Sequence, residues 1–213
     1  MTAGELQTGI FAVNGRRALF VWVGAGAGAL ALAAAFYFDG AVHAWLAAHR
    51  TRPLTECMRA VSTYGDWPSH IVAGLLLSVC AYFKGSKRWL RVFVAMMLAC
   101  AIAGAAARVI KVTAGRARPT VRVESGWNGP RLSSKYHAFP SGHTASSTAF
   151  FGVLVFASWR LGAAFLALPI LIAISRMQVG AHYLSDVVAA ALLGAVVAWL
   201  VSRALTRHEA RLH

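Results

Sequence analysis

The chain is poor in charge and poorer still in acid. Only 13% of its 213 residues are charged, with 7 Asp+Glu against 21 Lys+Arg, whereas a soluble globular domain carries about 25% charged residues. A water-soluble domain with so little charge and a 58% hydrophobic composition would expose large apolar patches. The three cysteines are too few for a disulfide scaffold. Cys80 and Cys100 lie in apolar runs and Cys57 in a polar connection, so no pairing is expected. Disorder, which requires low hydrophobicity, is excluded as well. There is no internal repeat and no low-complexity tract. What is present is Ala, Leu and Val in long uncharged runs, with a mean hydropathy of +0.59. That is the composition of a polytopic membrane protein.

Helices of about 20 apolar residues span a hydrocarbon core of about 30 Å, and the chain has room for six with short connections. The expected spans are residues 18–38, 67–83, 92–110, 144–159, 161–175 and 187–205. They give an all-α transmembrane helical bundle in which residues 1–213 form one membrane-embedded domain. The first run follows Arg16-Arg17 and precedes Ala41-Val42-His43-Ala44, features shared with signal peptides. Its 21 uncharged residues exceed a typical signal core and favour a retained anchor. Gly24 and Gly28 offer a small-xxx-small face for close helix contact. Residues 39–66 mix Asp39, Arg50, Arg52, Glu56, Arg59 and Asp66 with apolar positions, and the middle suits an amphipathic helix at the interface. The fourth and fifth runs are short, since 15 residues, the length of the fifth, rise only about 22 Å. There the membrane thins, or the adjoining polar segment sits below the headgroups.

A net charge of +14 points to nucleic acid in a soluble protein. Between apolar spans it suits anionic headgroups and phosphorylated substrates instead, so the expected partners are membrane lipids and a phosphorylated lipid, with no nucleic acid. With six spans both termini share a side, and the basic residues divide as ten with the termini and eleven opposite. Seven of the eleven lie between Arg108 and Lys135, and an eighth is Arg176. If that group binds an anion it is discounted, and three against ten then put both termini in the cytoplasm.

Polar residues are concentrated in three segments: Lys111 to Pro119 (KVTAGRARP), Pro140 to His143 (PSGH) and Ser175 to Asp186 (SRMQVGAHYLSD). Alternating topology brings all three to one membrane face. In the first, Lys111 and Arg118 are fixed cations near a helix end, a compact charge and a planar fork, both suited to phosphate oxygens. Alone they read as snorkelling cations. In the second, Ser141 is a good helix cap, Gly142 lets backbone approach an anion at the helix start, and His143 stands beside it. In the third, Arg176 adds a cation. His182 and Asp186 are four apart and share a face if the segment is helical. A carboxylate bonded to one imidazole nitrogen leaves the other basic, and Ser175 caps or supports the pair. Each segment alone has an ordinary structural reading; together they meet the needs of phosphoryl transfer. These are charge stabilisation of the equatorial oxygens, a nucleophile, and an acid for the leaving group. No metal or cofactor is required. Only Asp186 and Glu124 are acids near the expected site, and a two-metal centre needs several carboxylates.

These residues resemble the type-2 phosphatidic acid phosphatase family of integral-membrane lipid phosphatases, related in active site to vanadium haloperoxidases. The family pattern is Lys, six residues, Arg-Pro; then Pro-Ser-Gly-His; then Ser-Arg, five residues, His, three residues, Asp, and this chain matches every defined position. The resemblance covers roughly residues 18–205. It implies His182 as nucleophile forming a phosphohistidine, Asp186 as its orienting partner, and His143 as acid and then base. It implies Lys111, Arg118, Arg176, Ser141 and the Gly142 N–H as phosphate-binding groups. It also implies a metal-independent site on the periplasmic or exterior face of a bacterial inner membrane. Many members carry Pro where this chain has Leu184, outside the defined pattern. The motifs read phosphate and not the lipid body, so undecaprenyl pyrophosphate, phosphatidylglycerol phosphate, phosphatidic acid and lipid A phosphate all remain candidate substrates. The loop from Thr120 to Phe139, with Arg122, Trp127, Arg131 and Lys135, is the place for selectivity. A non-catalytic phospholipid-binding or transport protein is the alternative, but it has no need of the His182–Asp186 pair.

Overall fold

The computed structural model describes residues 3–121 and 126–209, with side chains described at 19, 21–121 and 126–206. Arg122, Glu124 and Arg211, and the side chains of Arg16, Arg17 and Arg207, lie outside the described residues. Among the described residues the regular elements are helices: α1 (Ala3–Ala48), α2 (Arg52–Tyr64), α3 (Trp67–Phe83), α4 (Lys87–Ala114), α5 (Gly142–Ala157), α6 (Trp159–Phe165), α7 (Ala167–Gln178) and α8 (Leu184–Glu209). A single 3-10 turn, Ser134–Tyr136, interrupts the long connection between α4 and α5.

Local chemistry sets the ends. Thr51 caps α2, its side chain accepting the Leu54 N–H at 3.4 Å, with Pro53 in the first turn. Asp66 caps α3 by accepting the Trp67 N–H at 2.8 Å, and Ser141 caps α5 as expected. Gly115 stops α4 in the left-handed region at φ 57°, its N–H donating to Lys111 O at 3.2 Å. Such a stop favours glycine, which has no Cβ to clash.

Among the described residues, four stretches are long and apolar enough to cross a membrane: Val21–Ala48, Lys87–Ala114, Trp159–Gln178 and Leu184–Thr206. This is the make-up of an integral membrane protein. The other two expected spans are helical but shorter. Trp67–Phe83 has 17 residues, and α5, with 16, rises about 24 Å. In α5, Thr144, Ser146 and Ser147 are buried in the bundle, and Ser147 Oγ donates to His143 O at 2.8 Å. Its polarity thus faces inward, away from lipid. The first helix runs ten residues past its expected end at 38 and carries Asp39 within it. The expected amphipathic helix is α2, which lies against α7.

α5 is the centre. It contacts α4 on one side and α8 on the other, with α3 outside α4 and α1 along α8. The contact surfaces are made of small residues: Ala99, Ala103, Ala107, Ala145, Ala149, Ala190 and Ala198 have no exposed surface. A Cβ on Gly194 of α8 would stand 2.6 Å from Ala145 O and 2.8 Å from Thr148 Cβ, and one on Gly152 would stand 2.8 Å from Ala198 Cβ. Close approach through small residues is the usual means of helix association in lipid. The expected Gly24–Gly28 face is only half used. Gly28 meets Leu192 of α8, whereas nothing lies within 4 Å of Gly24.

The close approach predicts an asymmetry that thermal melts of the detergent-solubilised protein can read. Gly194→Val should lower stability by roughly 1–3 kcal/mol, and Gly24→Val should leave the midpoint unchanged. Equal midpoints for the two variants would contradict it.

Candidate active site

His182 sits in the turn between α7 and α8 and is 2% exposed. The turn is held by Arg176 O, which accepts the N–H groups of Ala181 at 3.0 Å and His182 at 3.2 Å. The imidazole Nδ1 lies 2.6 Å from Ala138 O and 3.6 Å from Asp186 Oδ2. A carbonyl can only accept, so Nδ1 carries the proton and Nε2 the lone pair. Burial pushes the His182 pKa down to about 4, with Asp186 opposing and the Lys111 and Arg176 charges pushing further down. The ring is therefore neutral above that pH. The expected geometry needs correcting in one respect. His182 and Asp186 do not share a helical face, because the helix begins at Leu184. The Tyr183 N–H donates to Asp186 Oδ2 at 2.8 Å, which makes Asp186 part of the cap of α8. The carbonyl of Ala138, which the sequence analysis did not single out, sets the tautomer.

Asp186 has no exposed surface. Its Oδ1 accepts from Arg116 NH1 at 2.5 Å, and Arg116 NH2 in turn donates to Asp39 Oδ2 at 2.7 Å. The Asp186 carbonyl accepts the Ser141 N–H at 3.0 Å, joining the second and third polar segments directly.

His143 is the second residue of α5. Its Nε2 lies 3.5 Å from Asp66 Oδ1, and Arg176, His182 and Lys111 all act on it electrostatically. Ser141 Oγ, wholly buried, accepts from Thr144 Oγ1 at 3.1 Å and keeps its own O–H as a donor. Lys111 Nζ lies 3.6 Å from where a Cβ on Gly142 would stand, so the glycine leaves room between the cation and the helix start.

A polar cavity of about 490 Å³ opens here, lined by Arg59, Ser62, Asp66, Arg118, His143 and Arg176 among others. The Nε–H groups of Arg118 and Arg176 are buried with no acceptor among the described residues. Two orphan cationic donors beside one cavity are the physical signature of an anion site. Beyond α2 lies a larger apolar groove of about 830 Å³, lined by Val61, Tyr64, Gly65, Leu77, Phe151 and Ile172 among others. α2 is the ridge between the two: Val61, Tyr64 and Gly65 face the groove, and Ser62, Thr63 and Asp66 face the cavity.

The structure thus gathers Lys111, Arg118, Ser141, Gly142, His143, Arg176, His182 and Asp186 at one end of the bundle. Ser175 does not support the histidine pair. Its Oγ donates to Ile172 O at 2.7 Å and lies 3.2 Å from Ser62 Oγ, while Ser62 Oγ accepts from Arg176 NH1 at 2.9 Å. The expected anion-binding group of eight cations is narrower. Arg108 NH1 is bonded to His137 Nδ1 at 3.2 Å, Arg116 is held by carboxylates, and Arg131 stacks on Tyr136. In the 120–139 loop, Trp127 packs on Phe36 and Phe139, Lys135 O accepts the Arg118 N–H at 2.9 Å, and Arg122 lies outside the described residues. The sequence analysis missed Asp39, Asp66, Arg116 and Ser62. Asp39 carried a usable signal, an acid at the end of an apolar run.

Three comparisons with known proteins bear on this arrangement. Lipid A 1-phosphatase of Rhizobium johnstonii is 38% identical over 95 residues, 43% of this chain and 39% of that protein. Lipid A 1-phosphatase of Rhizobium etli is 36% identical over 94 residues, 43% of this chain and 40% of the relative. The chain thus matches about two fifths of the length of these curated relatives. Among solved structures, the fold is similar to the transmembrane PAP2-type phosphatidylglycerolphosphate phosphatase of Bacillus subtilis, with TM-score 0.67 and 19% identity over 89% of this chain and 95% of that one. It is also similar to LpxE of Aquifex aeolicus, with TM-score 0.57 and 18% identity over 78% and 95% of the two chains. The model of the PAP2 superfamily matches residues 88–209, a stretch that holds all three polar segments and most of the bundle, and the chain belongs to that superfamily.

Proposed function

We propose that this chain is a phosphatase that hydrolyses the phosphate or pyrophosphate monoester of a membrane lipid through a phosphohistidine on His182, without a metal. The observation that carries the reading is a polar cavity lined by His143, Arg118 and Arg176, two of these cations presenting buried unpaired donors, with His182 and Lys111 close enough to act on His143. The His182 Nε2 lone pair attacks phosphorus as the bond to the lipid oxygen breaks, and His143 gives its proton to that oxygen. His143 then takes a proton from water, the resulting hydroxide attacks phosphorus, the P–N bond breaks, and phosphate leaves. Lys111, Arg118 and Arg176 hold the phosphoryl oxygens, with the Ser141 O–H and the Gly142 N–H as further donors. This fixed positive field replaces what a metal ion would supply to the transition state. Asp186, 3.6 Å from the ring, steadies the cationic phosphoimidazole. Asp66 carries the matching charge when His143 holds its proton.

The substrate's hydrocarbon chains lie in the apolar groove, which adjoins the phosphate cavity: Val61, Tyr64 and Gly65 line the one and their neighbours Ser62, Thr63 and Asp66 the other. The relatives named as lipid A 1-phosphatases make a lipid A phosphate the first substrate to test, with undecaprenyl pyrophosphate, phosphatidylglycerol phosphate and phosphatidic acid in the same panel. The reading includes six membrane crossings, with α3 and α5 as short ones, both termini in the cytoplasm, and the site on the outer face of a bacterial inner membrane. A reporter fused after Leu212 should read as cytoplasmic; an external reading reverses the topology.

Rapid-quench trapping with p-nitrophenyl phosphate tests the chemistry. Wild type should form a phosphohistidine and keep its activity in excess EDTA. His182→Ala should form none. His143→Ala should form one that hydrolyses slowly, and with an alkyl phosphate it should lose about 10²–10⁴-fold in rate, the usual worth of a general acid. Phosphoenzyme at wild-type level in His182→Ala, or activity that EDTA abolishes and magnesium restores, would overturn the mechanism. The groove has its own test. Ala73→Trp should raise KM for a long-chain lipid phosphate while leaving p-nitrophenyl phosphate turnover unchanged; an equal effect on both substrates contradicts tail binding there.

A further inference from the structure

Arg116 is a cation that the phosphate cannot use. It is 7% exposed and already paired with the Asp39 and Asp186 carboxylates, whereas Arg118 and Arg176 each keep a buried Nε–H without an acceptor among the described residues. Both terminal nitrogens are taken. NH1 donates to Asp186 Oδ1 at 2.5 Å and to Ser185 Oγ at 2.7 Å, and NH2 donates to Asp39 Oδ2 at 2.7 Å. The rings of Tyr183, Trp127 and Phe36 surround the guanidinium, with centroids 4.5, 5.0 and 5.4 Å from its carbon. A planar guanidinium holds two carboxylates in fixed directions from separate nitrogens; a lysine ammonium carries its three donors on one rotating nitrogen and fixes no such plane.

The far carboxylate comes from α1. Asp39 is 8% exposed within an apolar helix, a placement that marks function more often than packing. Its Oδ1 accepts the Ser185 N–H at 2.8 Å and its Oδ2 accepts the Ser185 O–H at 2.6 Å. Those two bonds already fasten α1 to the start of α8. Through Arg116 the two helices are linked a second time, from Asp39 to Asp186 Oδ1. This second link ends on the carboxylate whose Oδ2 is turned to the Tyr183 N–H and to His182 Nδ1. Asp39 and Phe36 stand outside residues 88–209, the stretch matched by the superfamily model, and Arg116 occupies a position that the motif pattern leaves undefined.

We infer that Asp39 and Arg116 are positioning residues, which hold Asp186 and through it His182, so that the first helix is part of the catalytic apparatus. The inference rests on the reading of His182 as nucleophile. The test uses the full chain in lipid nanodiscs, with p-nitrophenyl phosphate as substrate and ¹⁵N-histidine NMR of the His182 ring. Asp39→Asn and Arg116→Lys should each lower kcat by about 10²-fold, the scale set by small misplacements of catalytic groups, with KM little changed and the His182 ring signals shifted. In an Asp186→Asn background, Arg116→Lys should have no further effect on kcat, since residues acting through one another are not additive. A purely structural staple would instead lose rate in both backgrounds, so an undiminished effect there overturns the inference. Wild-type kcat with unshifted ring signals in Asp39→Asn, the near-isosteric variant, overturns it as well, whether or not the Arg116 variants fold. Those results alongside an inactive His182→Ala would remove the positioning role alone. A fully active His182→Ala would remove the nucleophile reading on which it rests.

Discussion

The close approach of α4, α5 and α8 is the constraint from which the rest follows. Lipid tails are as apolar as any side chain, so helices in a membrane gain little from burying apolar surface and must associate by tight contact. Here alanine and glycine provide it, with Ala99, Ala103, Ala145, Ala149 and Ala198 sealed from solvent. Because α5 is held on both sides, its N-terminus at Gly142 is brought against Lys111 at the end of α4 and Asp186 at the start of α8. Three segments distant in sequence become one site through contacts that contain no chemistry of their own.

The site so assembled is electrostatically tense. Lys111 and Arg176 act on the same two histidines, Arg118 acts on both of those cations, and like charges gathered in a poorly solvated place repel one another. The surroundings oppose this with oriented dipoles. Ser62 Oγ accepts from the Arg176 guanidinium, while Lys135 O holds Arg118 only through its backbone N–H. What remains is a surplus of positive potential and two Nε–H donors still unmatched. In the proposed reading a dianionic phosphate satisfies both at once, and its affinity need not come from the lipid body.

Much of this was legible in the sequence because the polar motifs are short and contiguous. Pro-Ser-Gly-His reads as a helix cap because a cap is a local property, and the structure places Ser141 in that role. The long spans read directly from uncharged runs. What stayed hidden were partners that meet only through the fold. Arg116 and Asp39 are 77 positions apart, and nothing at either position indicates the other. Asp66 was only one polar residue of a mixed stretch; it caps α3, and its second contact with His143 depends on how α3 enters beside α5. The length of α5 misleads for a related reason. Its polar residues are turned inward and bonded, so hydropathy undercounts a helix the bundle encloses.

The ridge formed by α2 has a consequence for the order of events. If the proposed covalent mechanism holds, its two products leave at different times, the lipid alcohol first and inorganic phosphate second. With a polar chamber on one side of the ridge and an apolar trough on the other, these products have separate exits. The alcohol can withdraw sideways into the bilayer while the phosphoryl group is still attached to the histidine. Water can then enter from the opposite side without crossing the path of the departing chain. The partition thus separates two traffic streams, one hydrated and one oily, and keeps the second half-reaction from waiting on diffusion of the first product through the solvent door.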